Sequence, residues 1–196
     1  MAVIQLPLFG CMPALPERSD LVDSAPAANG DFDLVFACKT PYDFDSLLAF
    51  FKMRAVPGVE RVAQSAYART LRILREDVVV SGWLDVCFDV QTQHLCARVA
   101  AGLLPARELI VSGVRRQFDV DCDPIAVARV LGPFADRYPG LRLPGAMDAF
   151  EQALRAILGQ QICVLAATTL AGHIAAQFGT PIETPFPETR SAIPQR

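Results

Sequence analysis

Three runs, YARTLRIL (67–74), DVVVSGWLDVCFDV (77–90) and HLCARV (94–99), decide the fold class. They are rich in β-branched, aliphatic and aromatic residues, the types that pack well on a pleated, half-buried surface. Short polar stretches, Arg75-Glu76-Asp77 and Gln91-Thr92-Gln93, divide them. Connections that short can only return the chain antiparallel, because a parallel neighbour needs a crossover of a dozen residues or more. The runs therefore predict consecutive strands of an antiparallel sheet.

Upstream, Phe32, Leu34 and Phe36 alternate with Asp33, Val35 and Ala37, which predicts another strand. Pro41-Tyr42-Asp43 breaks it, and Asp43 is placed to cap a helix running to Arg54 with Phe44, Leu47, Leu48 and Phe51 on one face. Pro57-Gly58 ends that helix. Downstream, Pro105 to Phe118 reads as a helix with Leu109, Ile110, Val114 and Phe118 inward. Residues 31–118 thus form an α+β domain, an antiparallel sheet with helices. Residues 1–30 hold the clusters Pro13-Ala14-Leu15-Pro16 and Ser24–Gly30 without strand or helix period, and read as a disordered tail.

From 119 to 196 the pattern is helical. Asp123-Pro124 caps and opens a helix through Leu131, Tyr138-Pro139-Gly140 turns, and Asp148-x-x-Glu151 resembles a capping box at the start of Ala149–Leu158. Glu151 and Arg155 stand i,i+4 on that helix. After Gly159 a second helix is expected from about Gln161 to Phe178, with Pro181, Pro185, Pro187 and Pro194 making a terminal loop. The 161–178 segment is apolar almost all round, through Ile162, Val164, Leu165, Ala167, Leu170, Ile174 and Ala175, so burial is expected. The preceding helices are too few to surround it. This reading makes the second unit an incomplete all-α domain, completed by further helices or by another chain.

Bulk properties narrow the function only by exclusion. Of 196 residues, 52% are hydrophobic and the formal net charge is −3, so a sizeable core is possible, and charge alone does not suggest nucleic acid; a DNA claim must rest on local features. Arg carries nearly all the positive charge, since Lys39 and Lys52 are the only lysines. Cys11, Cys38, Cys87, Cys96, Cys122 and Cys163 form no Cys-x-x-Cys pair, and His94 and His173 are the only histidines. No metal site or cofactor is expected; reduced, mostly buried thiols and a cytoplasmic location are. The N-terminus lacks a basic leader, and no uncharged apolar run reaches membrane-span length.

Two stretches carry a family resemblance. One comprises PYDF (41–44), LAF (48–50), RAVPGVE (54–60) and YART (67–70); the other is RLPGAMDAFEQALRAILGQQ (142–161). In order and separation both resemble bacterial DNA-3-methyladenine glycosylase II, of the helix-hairpin-helix DNA glycosylase superfamily. The resemblance spans about residues 31–196. It implies a first domain similar to one repeat of the TATA-binding-protein fold, then helical domains. It implies base-excision repair: an alkylated purine is flipped from double-stranded DNA and its N-glycosidic bond cleaved, with no metal. The family's helix-hairpin-helix and catalytic Asp have no counterpart between Gly179 and Arg196, so the expectation is a C-terminally truncated chain, inactive alone. It would be a monomer if complete and aggregation-prone if truncated.

The resemblance also assigns residues. Gly159-Gln160-Gln161 matches the DNA-binding turn, where Gln161 stands at the position that wedges into the duplex; bulky apolar residues are usual there. The alternative is a helix C-cap with two solvated glutamines. Phe50 and Arg54 match the family's Phe-x-x-x-Arg and would floor the base pocket; the alternative is a core Phe beside a surface Arg. Asp148 and Glu151 invite a catalytic role, but a helix cap accounts for both. Tyr42, Tyr67, Trp83 and Tyr138 read as packing anchors. Outside enzymology, a non-catalytic DNA-binding module or a protein-interaction fragment would also fit.

Overall fold

The structure, a computed structural model, describes residues 21–23, 30–75, 77–186, 189 and 191–192. Strands β1 (Leu21–Asp23), β2 (Phe32–Ala37), β3 (Glu60–Ala63), β4 (Ala66–Arg75), β5 (Val78–Asp89) and β6 (His94–Val99) form one sheet in the order β1-β2-β6-β5-β4-β3. Every neighbouring pair is antiparallel. Helix α1 (Phe44–Arg54) lies between β2 and β3 in the chain, and α2 (Arg107–Gln117) follows β6 after a 3-10 turn at Ala101–Ala106.

The period-2 pattern puts one face of this sheet inward. Register aligns Phe32 with Val99, Leu34 with Ala97 and Phe36 with Leu95, and then Val99 and Ala97 with Leu84 and Val86. All of these are buried. Against them α1 contributes Phe44, Leu47, Leu48 and Phe51, and α2 contributes Ile110 and Val114. Leu109, expected inward, is only half-buried at the edge of this cluster. Phe118 sits at the centre, with its ring 5.3 Å from Phe51, 5.7 Å from Tyr67 and 6.1 Å from Phe44. Asp43 caps α1 as read from sequence, accepting from the Ser46 amide at 3.0 Å.

Two strands of this sheet escaped the sequence reading. The segment 1–30 falls outside the described residues except for Leu21–Asp23, a strand paired with β2, and Gly30. Strand β3 turns into β4 through Gln64 and Ser65, both with left-handed backbone (φ 51° and 60°). Such two-residue turns match the twist of a hairpin and are usually spelled Asn-Gly or Asp-Gly; Gln-Ser carries no such signal.

The helical part holds α3 (Pro124–Leu131), α4 (Pro133–Arg137), α5 (Ala149–Leu158) and α6 (Val164–Phe178). Asp123 accepts from the amides of Ile125 and Ala126, each at 3.0 Å, so the predicted cap is formed. The connection from α4 to α5 is tied back onto the sheet unit. Arg142, buried, donates to the carbonyls of Cys122 (2.7 Å), Pro41 (3.0 Å) and Lys39 and covers the Tyr42 ring. Gly145 passes so close to α2 that an added Cβ would lie 2.4 Å from the Arg116 carbonyl oxygen.

Helix α6 departs from the expectation of all-round burial. It begins at Val164 rather than Gln161, because Gln161 is left-handed (φ 63°) and Cys163 is extended. Its buried stripe is made of small residues, Thr168, Ala171, Gly172 and Ala175, while Leu165 is 74% exposed and Ile162, Val164 and Leu170 are also exposed. The cause is a close approach: a Cβ at Gly172 would meet the Pro57 ring at 3.0–3.2 Å, so the small side faces the sheet unit. The region after α6, read as loop, includes a two-residue ladder between β7 (Thr180–Pro181) and β8 (Ser191–Ala192). Among the described residues the thiols are free but not buried as expected: Cys87 and Cys163 are exposed, and Cys38, Cys96 and Cys122 half-buried; Cys11 lies outside the described residues. Among the described residues no helix is long and apolar enough to cross a membrane, and no cluster of His, Cys, Asp and Glu is placed to hold a metal ion.

Candidate functional site

A cleft of about 380 Å³ opens between the sheet unit and the α5–α6 pair. Phe50 and Arg54 of α1 line it from one side, and Glu151, Arg155 and Gly159 of α5 from the other. Phe50 lies off the buried α1 stripe and is half-buried, meeting Phe51 edge-on at 5.9 Å. The Arg54 guanidinium stacks on the Phe50 ring 4.0 Å from its centroid, as the i,i+4 spacing allows. Phe50 also packs against the sheet unit's core, so the pair is a cation–π couple at the cleft wall with one ring edge in the core.

Gly159, Gln160 and Gln161 are all exposed. Gly159 is the C-cap of α5, and its amide bonds the Arg155 carbonyl at 2.9 Å. Its backbone is right-handed, so the left-handed residue of this turn is Gln161. A non-glycine residue in that region carries local strain. Gly159 borders the cleft, whereas Gln160 and Gln161 stand outside its lining and project the turn beyond it.

The floor of the cleft holds a buried charge cluster of which the sequence shows only the Glu151–Arg155 pair. Glu60 of β3 and Arg69 of β4 are cross-strand partners. Arg69 pairs with Glu151, and its other terminal nitrogen lies 3.8 Å from Glu60. Arg155 reaches Glu60 at 2.9 Å and Glu151 at 3.2 Å, and donates to the Arg54 carbonyl at 2.5 Å. Glu60 also accepts from the Tyr67 hydroxyl (2.6 Å) and the Val56 amide (2.9 Å). Burial alone would raise the Glu60 carboxyl, but Arg69, Arg155 and these donors reverse it and hold Glu60 below the ordinary carboxylate range. Burial opposes the charge on Arg69 and Arg155 too, and their carboxylate partners more than offset that.

This network corrects the capping-box reading. Asp148 does cap α5, accepting from the Glu151 amide at 2.6 Å. The Glu151 side chain does not return the bond; it turns inward to Arg69 and Arg155. A usable signal was present: Arg69 occupies an inward position in β4, two residues from both Tyr67 and Leu71, where an unpaired charge would be costly. Of the aromatics, Tyr67 is fully buried, Tyr42 donates to the Phe118 carbonyl at 2.5 Å, Trp83 packs edge-on against Phe186, and Tyr138 is exposed.

Known proteins place this geometry. A family model described as the AlkA N-terminal domain matches residues 33–148, more than half of the chain. The chain belongs to the AlkA N-terminal domain family. DNA-3-methyladenine glycosylase 2 of Escherichia coli is 40% identical over 148 residues, which cover 76% of this chain and 51% of that protein. A probable bifunctional transcriptional activator/DNA repair enzyme AlkA of Mycobacterium tuberculosis is 33% identical over 168 residues, 82% of this chain and 32% of that protein. The chain therefore spans about half of the first relative's length and about a third of the second's. Among solved structures, a 3-methyladenine DNA-glycosylase from Archaeoglobus fulgidus superposes with a TM-score of 0.65 at 18% identity, over 82% of this chain and 55% of that one. MBOgg1 in complex with a low-affinity DNA ligand gives 0.56 at 14% identity, over 89% and 54%. The AlkA-family fold, an antiparallel sheet with helices followed by further helices, is thus shared with DNA glycosylases.

Proposed function

We propose that this chain is the lesion-recognition part of a DNA-repair N-glycosylase that acts on alkylated purines of the 3-methyladenine type in base-excision repair. The observation that carries the reading is the cleft whose walls are the Phe50–Arg54 couple and the α5 helix leading to the exposed turn at Gly159–Gln161. It gains weight from relatives named as 3-methyladenine glycosylases. The two units 31–118 and 119–196 divide the work: the first supplies an aromatic wall, the second the turn.

In this reading Gln161 enters the duplex and fills the gap behind the extruded base. Its length replaces the bulk of an apolar wedge, and its amide hydrogen-bonds the orphaned partner base. Alkylation leaves the purine positively charged, so the face of Phe50 attracts it by stacking and cation–π contact. The Arg54 guanidinium competes for that face, so a cationic base displaces it or uses the opposite side of the ring. Extrusion costs a few kcal/mol, least for a damaged base.

Bond cleavage needs a carboxylate facing the oxocarbenium-like sugar. Glu60 and Glu151, the buried carboxylates at the cleft, are committed to Arg69 and Arg155. Asp148, which also lines the cleft, caps α5, so these three carboxylates position rather than cleave, and no base release is expected of the chain by itself. A second reading, a protein-interaction fragment, is favoured by the exposed apolar side chains of α3 to α6, including Val130 at 87% and Leu165 at 74%.

The test is equilibrium binding of the purified chain to a fluorescent duplex with a tetrahydrofuran abasic analogue, against the intact duplex. We expect preference for the lesion, weakening as salt rises, and loss of that preference in Gln161→Ala. Equal binding to both duplexes, or none at low salt, leaves the interaction reading in its place.

A further inference from the structure

We infer that the buried cluster Glu60–Arg69–Glu151–Arg155 is a positioning lock that sets the angle of α5 on the sheet unit, and so places the turn at Gly159–Gln161 relative to Phe50. For what that placement serves, the inference rests on the reading of the turn as a duplex-inserting element.

Helix α5 has little apolar contact to hold it. Its only buried residue is Glu151; Leu154 and Leu158 are half-buried against a small cluster, while Phe150 and Ile157 are exposed. A helix with so thin an apolar footing is free to slide or roll, because apolar contact is non-directional. The charged contacts are directional. Arg69, fixed in the middle of β4, takes Glu151 in the first turn of α5, and Glu60 of β3 takes Arg155 one turn later. Two grips four residues apart on one helix face define both its rotation and its tilt.

Arg155 then links the two walls. It donates to the backbone carbonyl of Arg54, the residue whose guanidinium stacks on Phe50. Its own carbonyl accepts the Gly159 amide at 2.9 Å, one helical turn further on. A single residue therefore touches both ends, its side chain holding the C-terminal end of α1 and its backbone carbonyl closing the last turn before Gln160.

Geometry makes the lock consequential. Glu151 to Gly159 spans about 12 Å at the rise of a helix, so a tilt of about 10° moves the start of the turn by roughly 2 Å. Functional constellations tolerate about 0.5 Å. Replacing such buried ion pairs with apolar residues is often neutral for stability, so their service here is directional specificity rather than cohesion.

The experiment measures placement without DNA. Spin labels carried on non-canonical residues at Asp45 of α1 and at Gln160, both exposed, report one distance across the cleft of the full chain by pulsed electron resonance. We expect a narrow distribution in the parent chain and at least a doubling of its width in Arg69→Met, with far-ultraviolet circular dichroism unchanged. Leu158→Ala, which trims only the apolar footing, should leave the width as it is. Arg155→Lys keeps the charge but cannot reach both carboxylates and the Arg54 carbonyl, so it should broaden the distance by an intermediate amount. A folded Arg69→Met with the parental width overturns the inference, as does broadening in Leu158→Ala equal to that in Arg69→Met. Should Arg69→Met fail to fold, Arg155→Lys decides alone, and a parental width there overturns it. Since no DNA is present, failure here leaves the duplex-inserting reading standing, and failure to bind DNA leaves the lock standing.

Discussion

Phe118 and Leu165 are both large apolar side chains in helical surroundings, and the molecule treats them oppositely. Phe118 is fully buried among Phe44, Phe51 and Tyr67, whereas Leu165 is 74% exposed. The sheet unit gives each inward residue a partner, because strand register lines up Phe36 with Leu95 and α1 and α2 cover the face. In the helical part, α6 meets its neighbours through Ala171, Gly172 and Ala175, so its larger residues turn away from them. Apolar character alone does not bury a side chain; a complementary surface within reach does.

The sharpest way to break this contrast is Phe118→Ala. Removing that ring should cost about 3–5 kcal/mol, read as a lower denaturation midpoint with an unchanged denaturant slope. A loss below about 1 kcal/mol would mean that the aromatic centre is not where the sheet unit keeps its stability.

Acid should act next, at the seam between the two regions. Glu60 titrates below the ordinary glutamate value of 4.5, so its contribution is complete above that pH and drains away as pH falls through the folded value. Unfolding free energy measured from pH 7 to pH 3 should therefore decline below about 4.5, and Glu60→Gln should flatten that decline. An identical acid limb in both proteins would remove Glu60 from the account.

The smallest effect belongs to Leu165→Ser. An exposed residue away from special features shifts stability by no more than about 0.5 kcal/mol, and this substitution should reduce self-association in light scattering. A large destabilisation would show that Leu165 is covered in solution.

Much of the sheet unit was legible. The β-rich runs 67–74, 77–90 and 94–99 fall within β4, β5 and β6 with a slip of one residue, because period-2 patterning and polar turns speak directly of strands. The caps Asp43, Asp123 and Asp148 were equally readable, since a short acceptor before a helix has one evident use. Strand β3 was not, because four residues and a Gln-Ser turn are too little signal. The burial pattern of α6 was hidden for a different reason: the sequence shows which residues are apolar but not that Pro57 comes close enough to demand glycine opposite it.

Resemblance named five residues for the candidate site, and three of them meet at one place. Phe50, Arg54 and Gly159 do border one cleft, although nothing in their spacing brings residue 50 to residue 159. The charge cluster beneath them was obscured because Glu60 lies in a four-residue strand with too little signal, Arg69, although inward in β4, has no partner in its own segment, and Glu151 sits where a helix cap accounts for it.

One measurement tests the account most directly: the fluorescence of 2-aminopurine placed beside an abasic analogue in a duplex, followed as the chain is added. Insertion of the turn unstacks the reporter, so fluorescence should rise to saturation with the parent chain and stay flat with Gln161→Ala at concentrations where both proteins are bound. Saturated binding with no rise, or an equal rise in the variant, would contradict the claim that this turn enters DNA.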